Sequence, residues 1–150
     1  MGETGEQRYL DDFRVGQRFT TGTHTMTEAE ILAFAREFDP QPFHLDHAAA
    51  RDSPLEGLAA SGWHTAAVSM RLQVDGELLK GGIVGAGGEI GWPAPTRPGD
   101  VLHVETEVLE VRPSRSRPDI GIVTVFAETK TADGTIVQTF RCALVVPRRQ

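Results

Sequence analysis

The segment Phe38-Asp39-Pro40-Gln41-Pro42-Phe43-His44-Leu45-Asp46 holds the residues of this chain best placed to do chemistry. A carboxylate, Asp39, and an imidazole, His44, stand five positions apart, with Pro40 and Pro42 stiffening the backbone between them. Holding two titratable groups in place lowers the entropy cost of a reacting geometry. The segment therefore suits general acid/base work, such as taking a proton from a water or passing one to a substrate. A plainer account of the same residues has Asp39 ending a helix and His44 packing in a loop.

Other reactive side chains carry weaker signals. His44, Asp46 and His47 are all types that bind zinc, but their spacing fits no standard zinc arrangement, and no metal is expected. His64 is expected to be packed or hydrogen-bonded. Cys142 sits beside Ala143 and Leu144 with nothing nearby to activate its thiol, so it is read as inert. The run Arg112-Pro-Ser-Arg-Ser-Arg-Pro118 is a basic patch on an acidic chain. Its guanidinium groups suit phosphate, and a solvated hairpin tip is the alternative.

These residues must be positioned by the elements around them. Threonine-rich Phe19 to Met26 suits a strand. Ile31, Phe34, Ala35 and Phe38 then fall at the spacing of one apolar helical face, with Thr27 and Glu30 forming a T-x-x-E capping box at its start. Pro40 and Pro42 end that helix near Phe38. A short helix is expected over Asp46 to Asp52. A longer one begins near Ser61 and runs through Trp63, Ala66, Ala67, Met70 and Val74, and its lack of a strongly polar face predicts burial. Gly81 to Gly88 is expected to be a loop. Strands are expected over Glu89 to Trp92, Val101 to Val111, Ile120 to Lys130 and Ile136 to Val146, with a hairpin turn at Asp133-Gly134. Helices early and strands late predict an α+β domain with an antiparallel sheet. Covering one buried helix requires that sheet to curl around it, which is the hot-dog arrangement.

Composition narrows the possible partners. A chain of 150 residues fits one domain and would bury roughly 68–70 % of its unfolded surface. Residues 1–8 are polar and are expected to fray. A net charge of −6 disfavours nucleic acid and anionic lipid, and no apolar run is long enough to span a membrane. The single cysteine and the absence of a cleavable leader pattern make a cytoplasmic location the expectation.

The Asp39 to Asp46 segment resembles the D-x-N-P-x-H-x-D signature of MaoC-like dehydratases and R-specific enoyl-CoA hydratases. Asp39, Pro42, His44 and Asp46 are in register, with Gln41 where asparagine is usual. Leu58-Ala-Ala-Ser-Gly62-Trp63 resembles the family's I-A-H-G-M turn, with Ser61 replacing histidine. Glu89-Ile-Gly-Trp92 and Arg97-Pro-Gly-Asp100 resemble the strand and turn that follow. The serine that some relatives carry on the central helix is met by Met70, with Ser69 one step away.

The resemblance implies syn hydration of a trans-2-enoyl thioester, or the reverse dehydration, with Asp39 and His44 holding one water. It implies an oxyanion role for the backbone N–H of Gly62 at the start of the central helix. Gln41, Phe43, Ser61 and Trp63 would contact substrate, with Trp63 and Trp92 as core or acyl-pocket walls. Arg115 and Arg117 would hold the nucleotide end of coenzyme A, which enters as part of the substrate, and no separate cofactor is implied. Relatives build their sites between two chains, so a homodimer or larger homo-oligomer is expected. Two other readings share the fold: an acyl-thioester-binding protein or partner subunit without turnover, and a thioesterase.

Overall fold

The computed structural model describes residues 6–149. Three helices, α1 (Glu28–Phe38), α2 (His47–Arg51) and α3 (Gly62–Asp75), precede most of an antiparallel sheet. Its strands are β1 (Arg18–Thr20), β2 (His24–Thr25), β3 (Val84–Gly91), β4 (Val101–Pro113), β5 (Ile120–Lys130) and β6 (Ile136–Pro147). They lie in the order β1-β4-β5-β6-β3, with β2 also on β4. Helix α3 packs against β4 and β6, giving the α+β hot-dog arrangement. No helix among the described residues is long and apolar enough to cross a membrane.

The long strands show the period-two burial of a sheet with one covered face. In β4, Leu102, Val104, Thr106 and Val108 point inward, and across from them in β5 Val123, Val125, Ala127 and Thr129 do the same. Two apolar clusters result. One gathers Leu10, Phe13, Leu78, Leu79, Val125 and Val146 at the far end of the sheet, and the other gathers Met26, Ile31, Ala60, Leu72, Val104 and Val137 beneath α1 and α3.

Several expectations need correction. The Phe19 to Met26 strand is broken in two, because the Thr21 hydroxyl accepts from the Val104 N–H at 2.9 Å in place of a backbone carbonyl. The capping box is half formed: the Glu30 N–H donates to Thr27 Oγ1 at 3.2 Å, while the Glu30 carboxylate accepts from His24 Nε2 at 2.8 Å instead of reaching back. Phe38, the last member of the α1 stripe, is exposed. Residues 1–5 of the expected frayed start lie outside the described residues, but Arg8 is docked, donating from Nε to the Glu77 carbonyl at 2.6 Å and lying over the Phe13 and Phe19 rings. Helix α3 is buried on one side only, through His64, Thr65, Ser69 and Leu72, while Trp63, Met70 and Val74 are exposed.

The glycine-rich stretch is the largest departure, since Val84–Gly91 is a strand and not a loop. As an edge strand, β3 packs few side chains and draws its hydrogen bonds from β6. Glycine is required by close backbone approach: a Cβ at Gly88 would collide with the Arg141 carbonyl oxygen across the pair. Gly88→Ala should therefore destabilise by about 1–3 kcal/mol, the range for overpacking. Gly22→Ala, where a Cβ meets nothing within 4 Å, should stay within about 0.5 kcal/mol. Urea midpoints of the two variants provide the measurement, and equal midpoints would refute the close-approach account.

Candidate active site

Asp39 is the C-cap of α1, its N–H donating to the Ala35 carbonyl at 2.9 Å. The prolines then force a tight 3-10 turn over Pro42–His44, in which the His44 N–H donates to the Gln41 carbonyl at 3.0 Å. Asp46 caps α2 by accepting from the Ala49 N–H at 3.0 Å. That residue's role in the segment is thus structural, and the turn it fixes delivers the His44 ring to Asp39. The two side chains meet with His44 Nε2 3.3 Å from Asp39 Oδ2.

The other ring nitrogen defines the chemistry. His44 Nδ1 lies 2.7 Å from the Ala59 carbonyl oxygen, in a buried bond. A carbonyl only accepts, so Nδ1 carries the proton, and in the neutral ring Nε2 presents its lone pair toward Asp39. Two acceptors thus face one small space. A water placed there can donate one proton to each.

Asp39 is held in its charged form. Burial raises its pKa, but the Ser61 hydroxyl and the Gln41 amide, joined by the charge of the His44 ring whenever that ring is protonated, outweigh this, and the carboxyl lies below the usual carboxylate value. Gln41 Nε2–H donates to Asp39 Oδ1 at 2.6 Å. Ser61 Oγ is fully buried and makes no well-aligned hydrogen bond among the described residues, so it favours the charge by proximity. Gln41 and Ser61, expected at the substrate, are placed as supports of the acid.

A cleft of about 510 Å³ opens beside His44, which lines it while Asp39 stands behind the ring. His44 and Phe43 line one side, Gly62 and Thr65 another, and Trp92 to Thr96 a third. Phe43 meets the His44 ring edge-on, with centroids 4.6 Å apart. Ser61 is the N-cap of α3, and its carbonyl accepts from the N–H groups of His64 and Thr65. The N–H groups of Gly62 and Trp63 have no partner among the described residues, and they lie at the positive end of the α3 dipole, where Gly62 borders the cleft. Glycine at 62 also has a steric cause, since a Cβ there would lie 2.6 Å from the Trp92 indole.

The matched family model, described as a MaoC like domain, spans residues 12–131. The chain belongs to the MaoC-like dehydratase family. The crystal structure of a MaoC-like dehydratase from Rhodospirillum rubrum is 56% identical, covers 95% of this chain and 99% of its own, and superposes with a TM-score of 0.92. The uncharacterized protein YdeM of Bacillus subtilis is 37% identical over 80% of this chain and 85% of its own length. An (R)-hydratase from A. caviae, involved in PHA biosynthesis, is 25% identical over 90% of this chain and 98% of its own, with a TM-score of 0.72.

Within this MaoC-like domain not every expected residue reaches the pair. Trp63 is exposed and turns away from the cleft, touching Trp92 edge-to-face at 5.1 Å between centroids. Arg115 and Arg117 sit at the β4–β5 tip, and Arg117 is paired with Asp119 at 2.6 Å. The length of β5 separates this tip from the cleft of its own chain by roughly 30 Å of strand. His64 stacks on Phe34 at 4.7 Å, its Nδ1 buried without a partner among the described residues, and burial lowers its pKa. Burial raises the pKa of the Cys142 thiol.

One contributor was missed. Arg97 donates from Nη1 to the carbonyls of Gly57 and Leu58, at 2.7 and 3.2 Å, and from Nη2 to that of Leu55. It pins the segment whose next carbonyl, that of Ala59, orients His44. The arginine of the Arg97-Pro-Gly-Asp100 turn was the available signal, but nothing local showed where its fork would reach.

Removing the Ser61 hydroxyl leaves burial of Asp39 less compensated. In Ser61→Ala the Asp39 pKa should rise, as followed by carboxyl-carbon NMR titration. A depressed carboxylate pKa contributes stability above the unfolded pKa and loses it as pH falls through the folded one. The stability deficit of the variant should accordingly be present at neutral pH and vanish on acidification. An unmoved Asp39 titration would remove Ser61 from the site.

Proposed function

We propose that this chain is an enoyl-thioester hydratase that adds water across the Cα=Cβ bond of a trans-2-enoyl-CoA, giving the 3-hydroxyacyl-CoA, and also runs the reverse dehydration. The observation that carries this reading is the orientation of His44: Nδ1 is tied to the Ala59 carbonyl, and Nε2 faces an ionised Asp39 at 3.3 Å beside the cleft. The family, the dehydratase from R. rubrum and the A. caviae (R)-hydratase support it.

The steps balance with one water. Its oxygen forms the bond to Cβ while a proton passes to the Asp39/His44 pair, and the pair returns a proton to Cα on the same face. Electron density moved from the double bond accumulates on the thioester oxygen before Cα is protonated. The free N–H of Gly62 would stabilise that oxygen, and one such donor is typically worth about 2.7–4 kcal/mol of barrier.

Loss of enoyl absorbance with crotonyl-CoA tests the activity. Asp39→Asn and His44→Gln should each lower kcat by about 10² or more. Because both side chains act on one water, the double variant should lose little beyond the worse single variant. Near-normal turnover in either single variant would refute the mechanism, and multiplicative losses would refute the shared water. Binding of acyl-CoA without any turnover would favour the non-catalytic reading instead.

The working form in this proposal is at least a homodimer. Trp63, Met70 and Val74 leave an apolar stripe on α3, and β3 leaves an open sheet edge, both of which a second copy would cover. Light scattering should give a dimer or larger at micromolar concentration. A fully active monomer would overturn this.

A further inference from the structure

Two spaces lie end to end along α3. The first is the cleft beside His44, which takes Gly62 and Thr65 from α3 and Val137 from β6. The second, of about 160 Å³, takes Ala66 and Met70 from α3, Ile90 from β3 and Phe140 from β6. They share no lining residue, and neighbours in sequence are divided between them: Gly62 faces the cleft and Trp63 the cavity, Val137 the cleft and Gln138 the cavity. The irregular register at the start of β6, where Lys130 pairs with Ile136 but Thr129 with Gln138, buries Val137 and Gln138 together and so allows this split.

Trp92 stands at the division. Its indole lies so close to the Gly62 backbone that no side chain fits there. Its Nε1–H donates to Gln138 Oε1 at 3.0 Å, and its ring meets Trp63 edge-to-face. Several polar atoms on the cavity wall are engaged: Ser69 Oγ with the Thr65 carbonyl and Thr129 Oγ1, both at 2.7 Å, and Gln73 Nε2 with Thr106 Oγ1 at 3.3 Å. The surface left to an occupant is mostly carbon, which suits an alkyl chain.

We infer that Trp92, latched by Gln138, is a chain-length gate: in place, it confines the acyl group to the cleft and selects short enoyl thioesters, and displaced, it admits a longer alkyl tail to the cavity. This rests on the reading of the cleft as an acyl-thioester site. The wild type should convert crotonyl-CoA better than trans-2-octenoyl-CoA. Trp92→Ala should raise the octenoyl-to-crotonyl ratio of kcat/KM by about tenfold or more, the size of effect that a methylene or two has in an apolar pocket. Gln138→Leu, which cuts the latch and keeps the ring, should shift the ratio the same way by less.

Calorimetry with the non-reacting butyryl-CoA and octanoyl-CoA separates the gate from the chemistry. If the wild type converts no enoyl-CoA, the hydratase reading fails, yet tighter octanoyl-CoA binding in Trp92→Ala with butyryl-CoA binding little changed still supports the gate. An unchanged ratio in both assays, a wild type that already prefers the longer ester, or no binding of either ester by any variant overturns it. Should Trp92→Ala fail to melt cooperatively, Trp92→Phe and Gln138→Leu decide by the same ratios.

Discussion

The hydrogen bond from His44 Nδ1 to the Ala59 carbonyl is buried, and a buried donor left without its acceptor is costly, so the ring is locked in one orientation. That orientation decides which nitrogen meets Asp39, and hence whether the pair can share a water. The bond in turn requires the Ala59 carbonyl to be in place. The segment before it is irregular, with Glu56 at a φ of +58°, and it is held by the Arg97 fork rather than by helix or sheet pairing. Ala60 completes the tie, its N–H donating to the Thr96 carbonyl at 2.9 Å. A turn distant in sequence therefore sets the tautomer of His44.

The acid is held by a complementary route. Gln41 is two residues from Asp39 and reaches its carboxylate within the same turn, whereas Ser61 comes from the start of α3. A local and a long-range support thus act on one side chain. The longer amide of Gln41, in place of the family's usual asparagine, still reaches Oδ1, and the serine in place of histidine still lies near the carboxylate. Both departures from the family pattern are thereby accommodated at the acid.

What was legible in the sequence followed from local physics. Pro40 and Pro42 stop α1 wherever the rest of the chain goes, and the alternation in β4 and β5 reports one covered face without any knowledge of the partner strand. The Asp39/His44 meeting was legible for the same reason, because a short stiff turn leaves few ways to arrange two side chains. The β3 strand was not, since Gly88 answers to the Arg141 backbone far along the chain and the glycine stretch carries no periodic signal. The half-exposure of α3 was equally hidden: an apolar helix reads the same whether its cover is the sheet of its own chain or a surface outside it. Arg97, the Arg115/Arg117 tip and the supporting roles of Gln41 and Ser61 all depend on where distant segments arrive.

Gly62 joins the proposed chemistry to the proposed selectivity. Its missing side chain lets the Trp92 indole close over the backbone, and its N–H, at the first turn of α3, is a free donor beside the cleft. Adding a methyl group would push the indole off its seat, straining the bond to Gln138 and the contact with Trp63 at the same time. The donor itself would remain, because the backbone N–H is common to every residue except proline. The steric demand on position 62 thus comes from the wall, while the electrostatic demand comes from the helix terminus. A glycine meets both, and the glycine of the turn that this family carries into its central helix is explained here by geometry rather than by the N–H alone.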